Sequence, residues 1–163
     1  MLVQLFGKRY DASTKPNAQP GVPLMLTSST AGQARASVEE VYTQINKDLD
    51  DAITNLTGYT RTAKSHFNVN VVKGIKARVA LTQQDWANAA KFASEARQGF
   101  TLMNSTQYTA GFNDASVPEW MWASVIPADQ GTFFYSFFAY MELAMGFLSH
   151  LSRRAYKISP VIR

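Results

Sequence analysis

The sequence predicts a mainly α-helical fold of antiparallel helical hairpins, with long loops and one short extended segment. Three observations carry this. Apolar residues recur at three- and four-residue steps over residues 37–56, 69–82 and 86–96. Helix-start and helix-stop residues bracket those runs. The turn Gln83-Gln84-Asp85 between the second and third runs is short enough to make them antiparallel neighbours.

In chain order, Leu2-Val3-Gln4-Leu5-Phe6 reads as the last turns of a helix closed by Gly7. Residues 11–32 are rich in Pro, Gly, Ser, Thr and Asn and read as a loop. Its length exceeds that of most loops inside compact domains. Ser37-Val38-Glu39-Glu40 is a capping box, in which Ser37 and Glu40 satisfy each other's amides. Behind it Val38, Val41, Tyr42, Ile45, Leu49, Ala52, Ile53 and Leu56 share one face, and Gly58 closes the helix.

Asn68 is the N-cap of a second helix to Thr82, with Val72, Ile75, Val79 and Leu81 directed inward and Lys73 and Lys76 outward. A third helix carries the stripe Trp86, Ala89, Ala90, Ala93 and Ala96, whose small residues let two helix axes approach. Trp86 lies on that stripe and reads as core. Gly99 ends the helix.

Beyond it the periodicity fades, with Tyr108 and Phe112 as anchors of an irregular segment. Residues 118–126 form a short apolar run rich in aromatics and bounded by Pro118 and Pro127, which reads as a buried strand or extended segment.

Composition narrows the function. The chain has 163 residues, 46% hydrophobic and 17% charged, which suits one globular domain and excludes a disordered chain. The net charge of +4 and pI of about 9.4 are spread along the chain, without the basic density of a nucleic-acid arm. There is no cysteine, which excludes disulfides, iron–sulfur sites and thiol catalysis, and no lipid-attachment cysteine is present. The N-terminus lacks the charged start and long apolar core of a signal peptide.

No phosphate-binding glycine loop and no Gly-x-Ser-x-Gly elbow occurs. His66 and His150 lie far apart and have no carboxylate at ligand spacing. Asp48, Asp50 and Asp51 diverge around a helix, so they form a solvated face and not a facing acid–base pair. No cofactor and no catalytic residue is expected.

The aromatic residues are the candidate binding groups, because sugar rings present C–H faces that stack on flat side chains. Trp120 and Trp122 would share a face of an extended segment, as core or as a platform. Phe133, Phe134 and Tyr135 follow the loop 127–132, and binding or packing suits them equally. Trp122, Phe134 and Tyr135 are the candidate ligand-binding residues. Residues 132–151 are long enough to span a bilayer, but Glu142 in their middle argues instead for a helix packed against other protein.

The hairpin over residues 72–97 resembles a tetratricopeptide repeat, with Ala77, Ala80 and Leu81 before the turn, then Asp85-Trp86 and Ala89-Ala90. The order of segments around it is more specific. Phe6-Gly7-Lys8-Arg9-Tyr10, Gly21-Val22-Pro23-Leu24, Arg35-Ala36-Ser37-Val38-Glu39-Glu40-Val41-Tyr42, Ala77-Arg78-Val79-Ala80-Leu81 and Glu119-Trp120-Met121-Trp122 together resemble the SusD/RagB-like family.

The resemblance implies a surface-exposed outer-membrane lipoprotein of Bacteroidota. It would bind oligosaccharides or other nutrients, starch among them, and hand them to a TonB-dependent, SusC-like transporter. It also implies a lipid anchor outside this chain, no nucleic-acid partner and no enzymatic activity. The chain would then be a single domain over residues 1–163, an incomplete central part of a larger SusD-like protein. The alternative is a tetratricopeptide-like protein–protein scaffold without glycan binding.

Overall fold

A computed structural model describes residues 2–111 and 114–124. In order, these form α1 (Leu2–Phe6), a 3-10 turn (Ala12–Thr14), β1 (Pro20–Pro23), β2 (Arg35–Ser37), α2 (Val38–Leu56), α3 (Val69–Thr82), α4 (Trp86–Ala96) and α5 (Ser105–Thr109). The fold is mainly α, as the periodicity predicts.

Helix starts follow the local chemistry. The Ser37 hydroxyl accepts from the Glu40 amide at 3.2 Å, and a Glu40 carboxylate oxygen accepts from the Ser37 amide at 2.7 Å. Asn68 Oδ1 accepts from the Val71 amide at 3.1 Å, and Asp85 Oδ1 from the Asn88 amide at 3.1 Å. Gly58 and Gly99, just past α2 and α4, have φ of +80° and +82°, where a side chain would be strained.

The α3–α4 turn uses a glutamine in the same role. Gln84 has φ 62°, its amide bonds the Leu81 carbonyl, and the Asp85 amide bonds the Ala80 carbonyl. These two bonds close α3 as a Schellman motif and send α4 back along it.

The span read as one loop holds β1, which pairs antiparallel with β2 just beyond it, with Pro20 opposite Ser37 and Pro23 opposite Arg35. Two prolines in a four-residue strand hide it from a pattern reading. They are tolerated because the pair has open edges. Arg35 fastens it to the N-terminal helix: Nε donates to the Gly21 carbonyl at 2.6 Å and Nη2 to the Phe6 carbonyl.

The core lies where α1, the strand pair and α3 meet α2. Val3, Tyr10, Val38, Val41, Tyr42 and Val79 are buried together, with Val22, Ala36, Ile45 and Leu49 around them. Tyr10 and Tyr42 meet edge to face, centroids 5.2 Å apart at 72°.

Asn17, fully buried, anchors the N-terminal loop. Its Oδ1 accepts from the Asp11 amide at 2.8 Å and from Gln19 Nε2 at 2.9 Å. Its own amide and Nδ2 donate to Glu39 Oε2 at 3.0 and 3.1 Å. Tyr10 Oη donates to Glu39 Oε1 at 3.4 Å.

These donors stabilise the ionised Glu39. The backbone bond from Asn17 leads, and the carboxyl is held below its ordinary 4.5 despite some opposing desolvation. A lowered folded pKa adds stability that is complete above the unfolded value and is lost as pH falls through the folded one. The protein is therefore expected to lose thermal stability below about pH 4.5. Glu39→Gln should flatten part of that acid decline, measured as Tm against pH. An unchanged slope in the variant counts against this role.

Three inward expectations are corrected. Ile75, Leu81 and Trp86 are 36%, 55% and 64% exposed. The outward expectation for two lysines is corrected too. Lys76, its side chain only 12% exposed, pairs with Asp50 of α2 and lies 4.9 Å from the Phe92 ring centroid of α4. Lys73, 25% exposed, pairs with Glu95 of α4 at 2.7 Å.

One cause explains the errors on α3, whereas Trp86 belongs to α4, where no described element covers its face. As the middle helix, α3 packs on α2 and α4 at once, burying Val71, Val72, Ala77, Val79 and Ala80. A single-stripe reading therefore assigns its faces wrongly.

Residues 118–124 are turns and irregular backbone, not a strand. The Trp120 amide bonds the Val117 carbonyl, and the Ala123 amide bonds Lys64 of another loop. These bonds curl the backbone away from any ladder. Phe112 and residues 125–163, with the apolar run 132–151 among them, lie outside the described residues. No described helix is long and apolar enough to cross a membrane.

Candidate functional site

Of the three candidate residues, Trp122 is described, whereas Phe134 and Tyr135 lie outside the described residues. Trp122 stands on the irregular segment after α5, which is stapled to the loop between α2 and α3. The Arg61 guanidinium donates through Nη1 to the Met121 carbonyl at 2.6 Å and to the His66 carbonyl at 3.2 Å. Lys64 Nζ donates to the carbonyls of Val117 at 2.5 Å and Ser116 at 3.2 Å. From the far side, Glu119 Oε2 accepts from the Met103 amide at 2.7 Å. Cations aimed at carbonyls give an irregular segment the fixed backbone that a ladder would otherwise supply.

The product is a flat aromatic platform. Trp122 stacks on Phe67 with centroids 5.7 Å apart and rings only 5° from parallel. Trp122 Nε1 donates to the Ser65 carbonyl at 3.0 Å, which fixes the indole in its own plane. Both rings remain half exposed, Trp122 at 45% and Phe67 at 48%. The buried-core reading of Trp122 is thereby corrected, because its neighbours turn elsewhere in an irregular segment. Phe67 carried only a weak signal in the sequence, an aromatic residue just before the Asn68 N-cap.

The chemistry available is stacking and hydrogen bonding. Among the described residues, no group of three or more metal-ligating side chains occurs. His66 is exposed and meets the Thr62 hydroxyl at 3.4 Å. Asp50 is committed to Lys76 and Asp51 to Lys47.

Two cavities lie elsewhere. A polar cleft of about 240 Å³ is lined by Lys15, Asn46, Gln83, Asp85, Asn88 and Phe92, among others. Its groups largely satisfy one another: Asn46 Nδ2 donates to Gln83 Oε1 at 2.9 Å, and Asn88 Nδ2 donates to Asp85 Oδ2 at 2.7 Å. It falls below the usual span of ligand pockets. The other is an apolar groove of about 540 Å³ along α3 and α4, floored by Gly74 and alanines.

No protein-family model and no curated protein sequence matches the chain. Solved structures do match. A SusD-like carbohydrate binding protein from Bacteroides vulgatus ATCC 8482 is 30% identical with a TM-score of 0.64, over 75% of this chain and 27% of that one. A SusD superfamily protein from Bacteroides thetaiotaomicron VPI-5482 is 21% identical with a TM-score of 0.68, over 79% of this chain and 28% of that one, a likeness of fold. The chain thus spans little more than a quarter of the length of either neighbour.

Proposed function

This chain is SusD-like, and from that premise we propose that it serves saccharide binding, with the Phe67–Trp122 platform as the surface that meets a sugar ring. The platform carries the reading: two parallel, half-exposed rings held by a network of backbone bonds before any ligand arrives. Preorganised flat aromatics suit the apolar C–H face of a pyranose, because little ordering remains to be done on binding. The description of the 30%-identical neighbour as carbohydrate binding supports the ligand class.

Further steps belong to the same proposal. The bound saccharide would be passed to a TonB-dependent, SusC-like transporter, with the protein at the cell surface on the outer membrane and held there by a lipid anchor. Residues 1–163 would act as one domain of the larger whole. Phe134 and Tyr135 are proposed as ligand-binding residues on residue type alone. Binding without turnover is part of the same proposal, supported by the description of the 30%-identical neighbour as carbohydrate binding.

The test is a calorimetric screen of this chain against neutral oligosaccharides, followed by single substitutions. Trp122→Ala and Phe67→Ala are each expected to weaken binding at least about tenfold, the effect of ~1.4 kcal/mol. Trp122→Phe keeps a smaller aromatic face and loses the bond to Ser65, so it should retain more of the affinity than Trp122→Ala. Binding unchanged in both alanine variants would remove the platform from the site. Full loss in Trp122→Phe would assign Trp122 to holding the loop.

A further inference from the structure

The two platform rings come from segments far apart in the chain, and the bonds between those segments converge on one turn. The His66 amide donates to the Ala63 carbonyl at 3.1 Å and closes that turn. Its next three carbonyls are all taken. That of Lys64 accepts from the Ala123 amide at 3.2 Å, that of Ser65 from Trp122 Nε1 at 3.0 Å, and that of His66 from Arg61 Nη1 at 3.2 Å.

Arg61 holds a particular place in this set. Nη1 donates to the carbonyl of His66, directly before Phe67, and at 2.6 Å to that of Met121, directly before Trp122. One nitrogen therefore ties together the two peptide units from which the rings depart. Lys64 Nζ reaches Ser116 and Val117 instead, well ahead of Trp122. Glu119 faces the other way, toward the Met103 amide. The rings are half exposed, so no surrounding core fixes their mutual placement, and the backbone beneath them has to do so.

Resting on the saccharide platform proposed above, we infer that Arg61 is a positioning residue for it. The guanidinium sets the offset of Phe67 and Trp122, and it acts through them without touching the sugar. Once it is removed, the two peptide units shift independently. The ligand must then order the rings itself, and that ordering lowers affinity.

Arg61→Met is expected to weaken binding about tenfold, measured by calorimetry with the tightest-binding of maltohexaose, cellohexaose and xylohexaose. In the same variant the Phe67 ring protons, which the stacked indole shifts upfield, should move most of the way to their positions in Trp122→Ala. Arg61→Lys keeps several donors on one nitrogen and should lie between the parent and Arg61→Met in both affinity and proton shift. In the Trp122→Ala background, Arg61→Met should cost no further affinity, because a residue that acts through the paired rings has no pair left to position.

Parent affinity in Arg61→Met, with or without a lowered Tm, overturns this role and leaves the platform standing. Weakened binding with the Phe67 protons unmoved overturns it too. So does an additive loss in the double variant, because Arg61 would then meet the sugar itself. Binding of none of the three oligosaccharides, or unaltered binding in Trp122→Ala, removes the platform and this role together.

Discussion

Tyr42→Ala is expected to destabilise the protein by about 4 kcal/mol, the upper range for removing a large core aromatic side chain. Tyr42 is 2% exposed and sits at the centre of the cluster that joins α2 to α1, β1 and α3. Its ring is the edge-to-face partner of Tyr10, itself 2% exposed, so truncation leaves a second aromatic face without contact. The surrounding residues are mostly β-branched valines with stiff side chains, which collapse poorly into a void.

Tyr42→Phe separates packing from the hydroxyl. It should cost under about 1 kcal/mol, because it conserves the volume. The check is urea unfolding of both variants against the parent. A loss below about 1 kcal/mol in the alanine variant would show that the cluster relaxes around the gap.

Asn17→Ala is expected to cost about 3 kcal/mol, for a different reason. The side chain is small and adds little apolar burial. It is fully buried, however, and makes three side-chain hydrogen bonds, one of them to an ionised carboxylate. Removing it strands the Asp11 amide, leaves Gln19 Nε2 only its bond to the Arg9 carbonyl, and takes a donor from Glu39. Buried partners left unpaired cost about 1–3 kcal/mol each.

Asn17→Asp isolates the donor. It keeps the shape and the acceptor but places a second carboxylate against Glu39, so it should be as damaging near neutral pH and partly recover in acid. A Tm for Asn17→Ala within about 2 °C of the parent would mean that water replaces the lost partners.

Local rules made much of this fold legible before any coordinates. Ser37, Asn68 and Gly58 mark helix ends because capping involves groups within four residues of one another, which a linear reading sees directly. Lys73 and Lys76 were misplaced because their partners, Glu95 and Asp50, come from other helices. Trp86 was misplaced for the converse reason: its face of α4 is apolar, yet no described element covers it. The β1–β2 pair escaped because a four-residue strand with two prolines and a three-residue partner carry almost no periodicity.

The candidate site was half legible. Trp122 could be named on residue type alone, as a flat side chain outside the helical stripes. Its partner Phe67 comes from the loop before α3, and nothing in either segment announces the other. What the sequence determined by itself was α1 to α4, their capped ends and the hairpin turn, because those energies are decided within a few residues; the one-turn α5, Ser105–Thr109, is too short to show a period. Only the tertiary structure decided which faces are buried and which two rings stack, because Arg61, Lys64 and Ser65 reach more than fifty residues along the chain to hold the platform's backbone.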